Sequence, residues 1–321
     1  MFIIENHRYP VHSIHGFRGD RSEGRKKGQA GRRLYPRRGI EDIMILSETT
    51  EIIRALYGQN MQQITIERMV LGLFFGGVKL SNGCGGISYM PTSDIHENNG
   101  CESMSSWTPR PGTFRGTPVS QILDMKTSSP LLGTIQLLVL NALSSLFFTK
   151  DRYRITYDSD VLDNIDTQSI KKVAMIGAIT PFIKIFKNAK NIKFHVIEKK
   201  KQSLREDERK YYVPAEKAAY IIPLCDTVII TGATVANGTI EELLRYVKSG
   251  TKVIVTGPTV SFLPDALFKR HVDIVSGTMV TAVDKTLDML AEGAGAYHLF
   301  EASCLRKINI IRNVRNDTGR P

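Results

Sequence analysis

From Lys171 onward, short continuous apolar runs alternate with segments of helical period. The runs are Val173–Ile176, Ile192–Ile197, Thr227–Ile230, Lys252–Val255 and Val272–Val275. Between them Pro181–Phe186, Pro214–Ile222, Thr239–Val247 and Leu263–Phe268 read as helices, and Ala282–Ala291 closes the series. Strands that are apolar on both faces need cover on both faces, and crossover helices supply it. This alternation dictates an α/β fold whose second half is a Rossmann-like, doubly wound parallel sheet.

The first half follows a different pattern. Ser47–Tyr57 is an amphipathic helix with Glu48 and Glu51 in its first turns, ended by Gly58. Gln63–Leu73, Gly77–Leu80 and Gly86–Met90 read as strands, the last two joined by the turn signal Ser81-Asn82-Gly83. After the loop Pro91–Pro111 come a helix near Pro118–Met125 and the apolar helix Pro130–Phe148. Thr134, Gln136, Asn141, Ser144 and Ser145 interrupt the latter. A membrane span needs roughly 20 mostly apolar residues, so this helix is expected in a protein core and no membrane is expected as a partner. The organisation expected is a basic, disordered extension over 1–40, an α+β domain over 41–150, and an acidic, polar connector over 151–170. The Rossmann-like domain over 171–310 and a basic tail over 311–321 complete it. Asp158-Ser-Asp160 lacks the third ligand position and the glycine of a calcium loop.

The formal net charge of +11 suggests nucleic acid until its placement is considered. Residues 1–40 carry ten basic side chains against three acidic, and the tail from Leu305 carries five against one. The span 41–304 is thereby balanced. A basic arm for nucleic acid is one reading of residues 1–40; a disordered extension, or sequence upstream of a start near Met44, is the other. No structured element backs the basic residues as a nucleic-acid surface would require, which argues against that partner. Cys84, Cys101, Cys225 and Cys304 lie far apart without a CxxC pair, and after Met1 the apolar stretch stops at Glu5. A cytoplasmic location is expected from both.

In open α/β sheets, ligands bind at the carboxyl ends of the strands, near helix N-termini. The first strand of the alternation ends in Gly177-Ala-Ile-Thr180-Pro181. The second ends in Glu198, at the spacing where a dinucleotide enzyme places its ribose-binding acid. The loop nevertheless holds one glycine where the phosphate fingerprint needs three, and Glu198 reads equally as an exposed strand-end charge beside Lys199–Lys201. The third strand end is Thr231-Gly232-Ala-Thr234-Val-Ala-Asn237-Gly238-Thr239, in which Thr239 or Asn237 can cap the next helix. Thr256-Gly257-Pro258-Thr259 and Ser276-Gly277-Thr278 follow. Three adjacent ends rich in hydroxyls and glycine make a pocket floor suited to an anionic or carboxylate-bearing ligand.

The strings TGATVANGTIEELL (231–244), TGPTVSFLPDALF (256–268) and GTMVTAVDKTLDML (277–290) resemble a family named for a proposed role in heavy-metal chelation. VLGLFFGGVKLSNGCGGISY (70–89) and LGTIQLLVLNAL (132–143) resemble the same family's first domain. The resemblance covers 44–310. It implies an N-terminal domain similar to the enolase N-terminal fold, followed by a Rossmann-like domain. It also implies a site in the cleft between them, formed by Asn141 and the strand-end loops.

For a metal, the loop Asp94–Glu102 concentrates donors in His96, Glu97 and Cys101, a set suited to zinc or a softer ion, at no recognised ligand spacing. A solvated loop with an incidental cysteine is the alternative. No GxSxG elbow, Ser-His-Asp constellation or P-loop is present, and turnover is left open. The leading expectation is a protein that binds a small anionic ligand, a heavy-metal ion or a metal complex in the cleft. The alternative is a Rossmann-type enzyme using a nucleotide or adenosyl cofactor. The sequence is compatible with a homo-oligomer.

Overall fold

The structure, a computed structural model, describes residues 44–91, 110–126 and 130–313. The basic extension over 1–40, the donor loop with His96, Glu97 and Cys101, and the end of the basic tail lie outside the described residues.

Helix α1 (Ile45–Tyr57) turns Ile45, Thr49 and Ile53 to the core, a four-residue repeat that keeps one face buried. Strands β1 (Ile66–Leu71), β2 (Phe75–Leu80) and β3 (Gly85–Tyr89) form an antiparallel meander. Gly83, at φ 83°, closes its second turn, where Asn82 Oδ1 accepts the Cys84 N–H. Short helix α2 (Val119–Asp124) leads to α3 (Pro130–Ser144), which is buried on nearly all sides. With its following turn, α3 is long and apolar enough to cross a membrane by length and composition. Here it lies across β2 and β3 instead. Gly86 makes that approach: a Cβ there would stand 2.2 Å from the Leu138 carbonyl oxygen and 2.5 Å from the Ala142 nitrogen.

The large sheet has the order β4-β11-β10-β9-β8-β5-β6-β7. Its parallel strands are β5 (Lys172–Ile176), β6 (Lys193–Glu198), β7 (Tyr212–Pro214), β8 (Thr227–Thr231), β9 (Lys252–Thr256) and β10 (Ile274–Val280). The alternation read from the sequence is thus a mostly parallel sheet, with differences at both margins. The polar stretch after residue 150 supplies edge strand β4 (Arg154–Tyr157), and the basic stretch from Leu305 supplies β11 (Leu305–Ile311). Both pair antiparallel. Charge interrupts the apolar run of β11: Arg306 and Lys307 are exposed while Leu305, Ile308 and Ile310 are buried. Arg306 bonds Asp158 and lies over the Tyr157 ring, so part of the terminal charge belongs to the sheet.

Crossovers come from α4 (Thr180–Asn188), α5 (Ala218–Ile221), the single turn α6 (Ala233–Ala236), α7 (Ile240–Arg245), α8 (Asp265–Phe268) and α9 (Val283–Ala291). Pro214 ends a strand rather than opening a helix, as suits a residue without an N–H on an edge strand. Helix α10 (Ala296–Glu301) precedes β11.

The two sheets share one continuous core. It runs from Ile45 and Val78 through α3 to Val228, Val253 and Ile310. Helix α9 covers the outer face of the small sheet, where a Cβ on Gly77 would stand 2.6 Å from Leu287 and Leu290. Residues from Ile43 onward accordingly form a single compact unit.

Candidate functional site

Strand order reverses between β5 and β8: β6 and β7 lie on one side of β5, while β8, β9 and β10 lie on the other. In open α/β sheets the loops that follow such a pair of strands leave on opposite sides, and ligands bind between them. Gly177 stands on one side with φ 92°. A Cβ there would meet Thr231 Cγ2 across the gap at 2.8 Å, so both its backbone angle and its space require glycine. Thr180, exposed, opens α4 with Pro181 in the first turn.

The loop after β8 holds itself together. Thr234 donates its hydroxyl to the Thr231 carbonyl at 2.7 Å, and Thr231 Oγ1 accepts the Ala233 N–H at 3.4 Å. Gly232 donates to the Thr256 carbonyl at 2.7 Å. Thr239 sits at the N-cap of α7 but does not cap it. Its N–H and hydroxyl both donate to Asn237 Oδ1, at 3.2 and 2.7 Å. The intervening Gly238 takes φ 69°. Thr231, Asn237, Gly238 and Thr239 remain half-buried, and Thr234 is buried.

Beyond β9 the candidate floor becomes a seam. Gly257, at φ 120°, turns the chain into Pro258 and Thr259. Asn141 on α3, 3% exposed, donates its amide to the carbonyls of Ile87 at 2.7 Å, Thr259 at 3.1 Å and, more weakly, Pro258 at 3.4 Å. Thr259 Oγ1 accepts the Tyr89 N–H at 3.1 Å, and Ser144 Oγ accepts the Leu263 N–H at 3.0 Å. Asn141 Oδ1 is buried without a hydrogen-bond partner. The side chain that the resemblance placed in a cleft is thus a staple between the small sheet and the β9 loop. Gly277 is also corrected. It lies inside β10 rather than at its end, and a Cβ there would stand 2.9 Å from Ser261 Oγ, so it packs and does not line a pocket.

Glu198, half-buried, ends β6 and folds back on the turn after β5. Its Oε2 accepts the Ala178 N–H at 3.2 Å, and its Oε1 accepts those of Lys199 at 2.7 Å and Lys200 at 3.3 Å.

Among the described residues no group of three or more His, Cys, Asp and Glu side chains could hold a metal ion. Cys84, Cys225 and Cys304 are buried and unpaired. Burial, reinforced by Asp226, pushes the Cys225 thiol up to about 11. Burial and then Lys193 hold the His195 imidazole below its ordinary range. A separate groove of about 800 Å³ opens at the opposite, amino ends of the strands, lined by Asp226, Lys248, Lys252, His271, Asp273 and Arg312 among others. Asp226 there accepts the backbone N–H groups of Lys171 and Lys172, and Asp273 that of Val253. These bonds tie strand starts together. Sequence reading missed this end because its residues carry no motif.

Fold and site define a class: a Rossmann-like sheet whose carboxyl-end loops are hydrogen-bonded to a small antiparallel sheet and its buried helix. Residues 160–309 match a family model described as "Putative heavy-metal chelation", and residues 54–144 match a second model with the same description. The chain belongs to this family. A crystal structure of a protein of unknown function from the family, from Pyrococcus horikoshii, superposes with a TM-score of 0.68 at 20% identity, covering 84% of this chain and 100% of that one. A second, from Desulfitobacterium hafniense, gives 0.58 at 18% identity, covering 82% and 98%. At these identities the likeness shows the fold. An uncharacterised protein of Methanocaldococcus jannaschii is 26% identical over 177 residues, which span 52% of this chain and 65% of that protein.

Proposed function

We propose that the protein binds a small ligand, an anionic chelate or a metal complex, in the crevice at the carboxyl ends of β5 and β8. The observation that carries this reading is the strand-order reversal, which leaves Gly177 and Thr231 facing each other where open α/β sheets take their ligands. Thr180, Thr231, Asn237 and Thr239 offer hydroxyl and amide groups there, and the family's description supplies the link to metals. A bare structural ion needs about four donor side chains, which the described residues do not assemble. The hydroxyl and amide groups named here would recognise a metal through the ligands it carries; His96, Glu97 and Cys101 lie outside the described residues.

Metal analysis and native mass spectrometry of the purified full chain test this. A stoichiometric small-molecule or metal adduct, weakened in a variant Thr180→Val that keeps its melting temperature because Thr180 is exposed, is expected. Apo protein that takes up neither metal chelates nor small acids on titration contradicts it.

A further inference from the structure

In a dinucleotide-binding βαβ unit, three groups share out one ligand. The turn after the first strand offers backbone N–H groups to the pyrophosphate, the helix start adds its dipole, and the acid at the second strand's end holds the ribose. Here the turn, the helix and the acid are all present, as 177–179, α4 and Glu198. The bonds are redistributed. Glu198 accepts the Ala178 N–H at 3.2 Å, the amide after Gly177, whose own N–H bonds the Ile197 carbonyl, leaving no space for a ribose between acid and turn. Its other oxygen gathers the N–H groups of Lys199 and Lys200.

A carboxylate that collects three amide donors beside a helix start with no side-chain cap occupies the electrostatic position of a phosphate. We infer that Glu198 is a built-in anion that closes this half of the crevice to phosphate and nucleotides, and so selects the ligand class. A ligand approaching this end meets a negative charge whose attached donors are already engaged. It must present a proton donor or a positive charge there, and its acidic groups must face the hydroxyls of Thr180 and Thr231 instead. The inference rests on the proposed crevice but fails separately from it, because it concerns phosphate exclusion rather than chelate uptake.

The test uses inorganic pyrophosphate as the probe on the full chain, by calorimetric titration and thermal shift. The variants are Glu198→Ala, which vacates the amides, and Glu198→Gln, which keeps shape without charge. Removing one like charge from an anion's contact shell should tighten pyrophosphate binding by ~10-fold or more in Glu198→Ala relative to the parent. Glu198→Gln should fall between them. Equal affinity in parent and variants, or no gain in either variant, overturns the inference. A second readout is independent of variant folding. In the parent, added pyrophosphate should leave the backbone amide resonances of Ala178, Lys199 and Lys200 in place, because Glu198 already engages them. A concerted shift of the three on pyrophosphate addition would also overturn it.

Discussion

Replacing Asn141 tests the seam between the small sheet and the β9 loop. Its amide satisfies the Ile87 and Thr259 carbonyls at 2.7 and 3.1 Å in a fully buried setting. Asn141→Ala leaves both without that donor, and a buried polar group stripped of its partner costs about 1–3 kcal/mol. Loss of the unpartnered Oδ1 offsets part of the sum, giving a net loss on the order of 2–4 kcal/mol. With a urea slope of about 3 kcal/mol per M, the unfolding midpoint should fall by roughly 1 M. Asn141→Asp adds a pH signature. The new carboxyl would face carbonyl oxygens, which disfavours its charged form and raises its folded-state pKa above the unfolded value of about 3.9. A raised folded pKa means stability is fully present below the unfolded value and is lost as pH rises through the folded one. The gap between this variant and the parent should therefore widen from pH 4 to pH 7. An Asn141→Ala midpoint unchanged from the parent, or a pH-independent gap for Asn141→Asp, would refute the staple.

Gly86→Ala places a methyl 2.2 Å from the Leu138 carbonyl oxygen; backbone on both sides leaves no room to yield, so a loss above about 3 kcal/mol or no soluble folded protein is expected in a urea melt. Gly177→Ala meets both φ 92° and the Thr231 methyl. It should cost about 1–3 kcal/mol, with Thr231→Ser recovering part of the loss in a double-mutant cycle. For Glu48, burial pushes the carboxyl up, but hydrogen bonds from Lys269 and Arg270 outweigh it and hold its pKa below the ordinary value. Its contribution is thus present above the unfolded pKa and lost as pH falls through the folded one; acid unfolding of Glu48→Gln should converge with the parent at low pH.

Much of the architecture is legible in the sequence because continuous apolar strands and 3.6-residue repeats report burial directly. The alternation from Val173 to Ala291 survives in the structure almost strand for strand. What escaped were β4, β7 and β11, short or margin strands in which exposed Arg154, Arg306 and Lys307 or the strand-ending Pro214 break up the apolar run. The strand ends that the sequence singles out do adjoin at the reversal point, where Gly177 packs against Thr231. The site was misread at Gly277, because strand β10 runs past the length its apolar run suggests. Asn141 shows a third limit. Residue type alone cannot tell an amide that waits for a ligand from one that binds three carbonyls 54 to 118 positions away in the chain.

Anomalous diffraction from crystals grown with a metal chelate addresses the central claim most directly. The account predicts a peak at the carboxyl ends of β5 and β8, with the chelate's own groups against Gly177–Thr180 and Thr231–Thr239. A peak confined to the amino-end groove near Lys252 and His271, or none beside ordered protein, would contradict it.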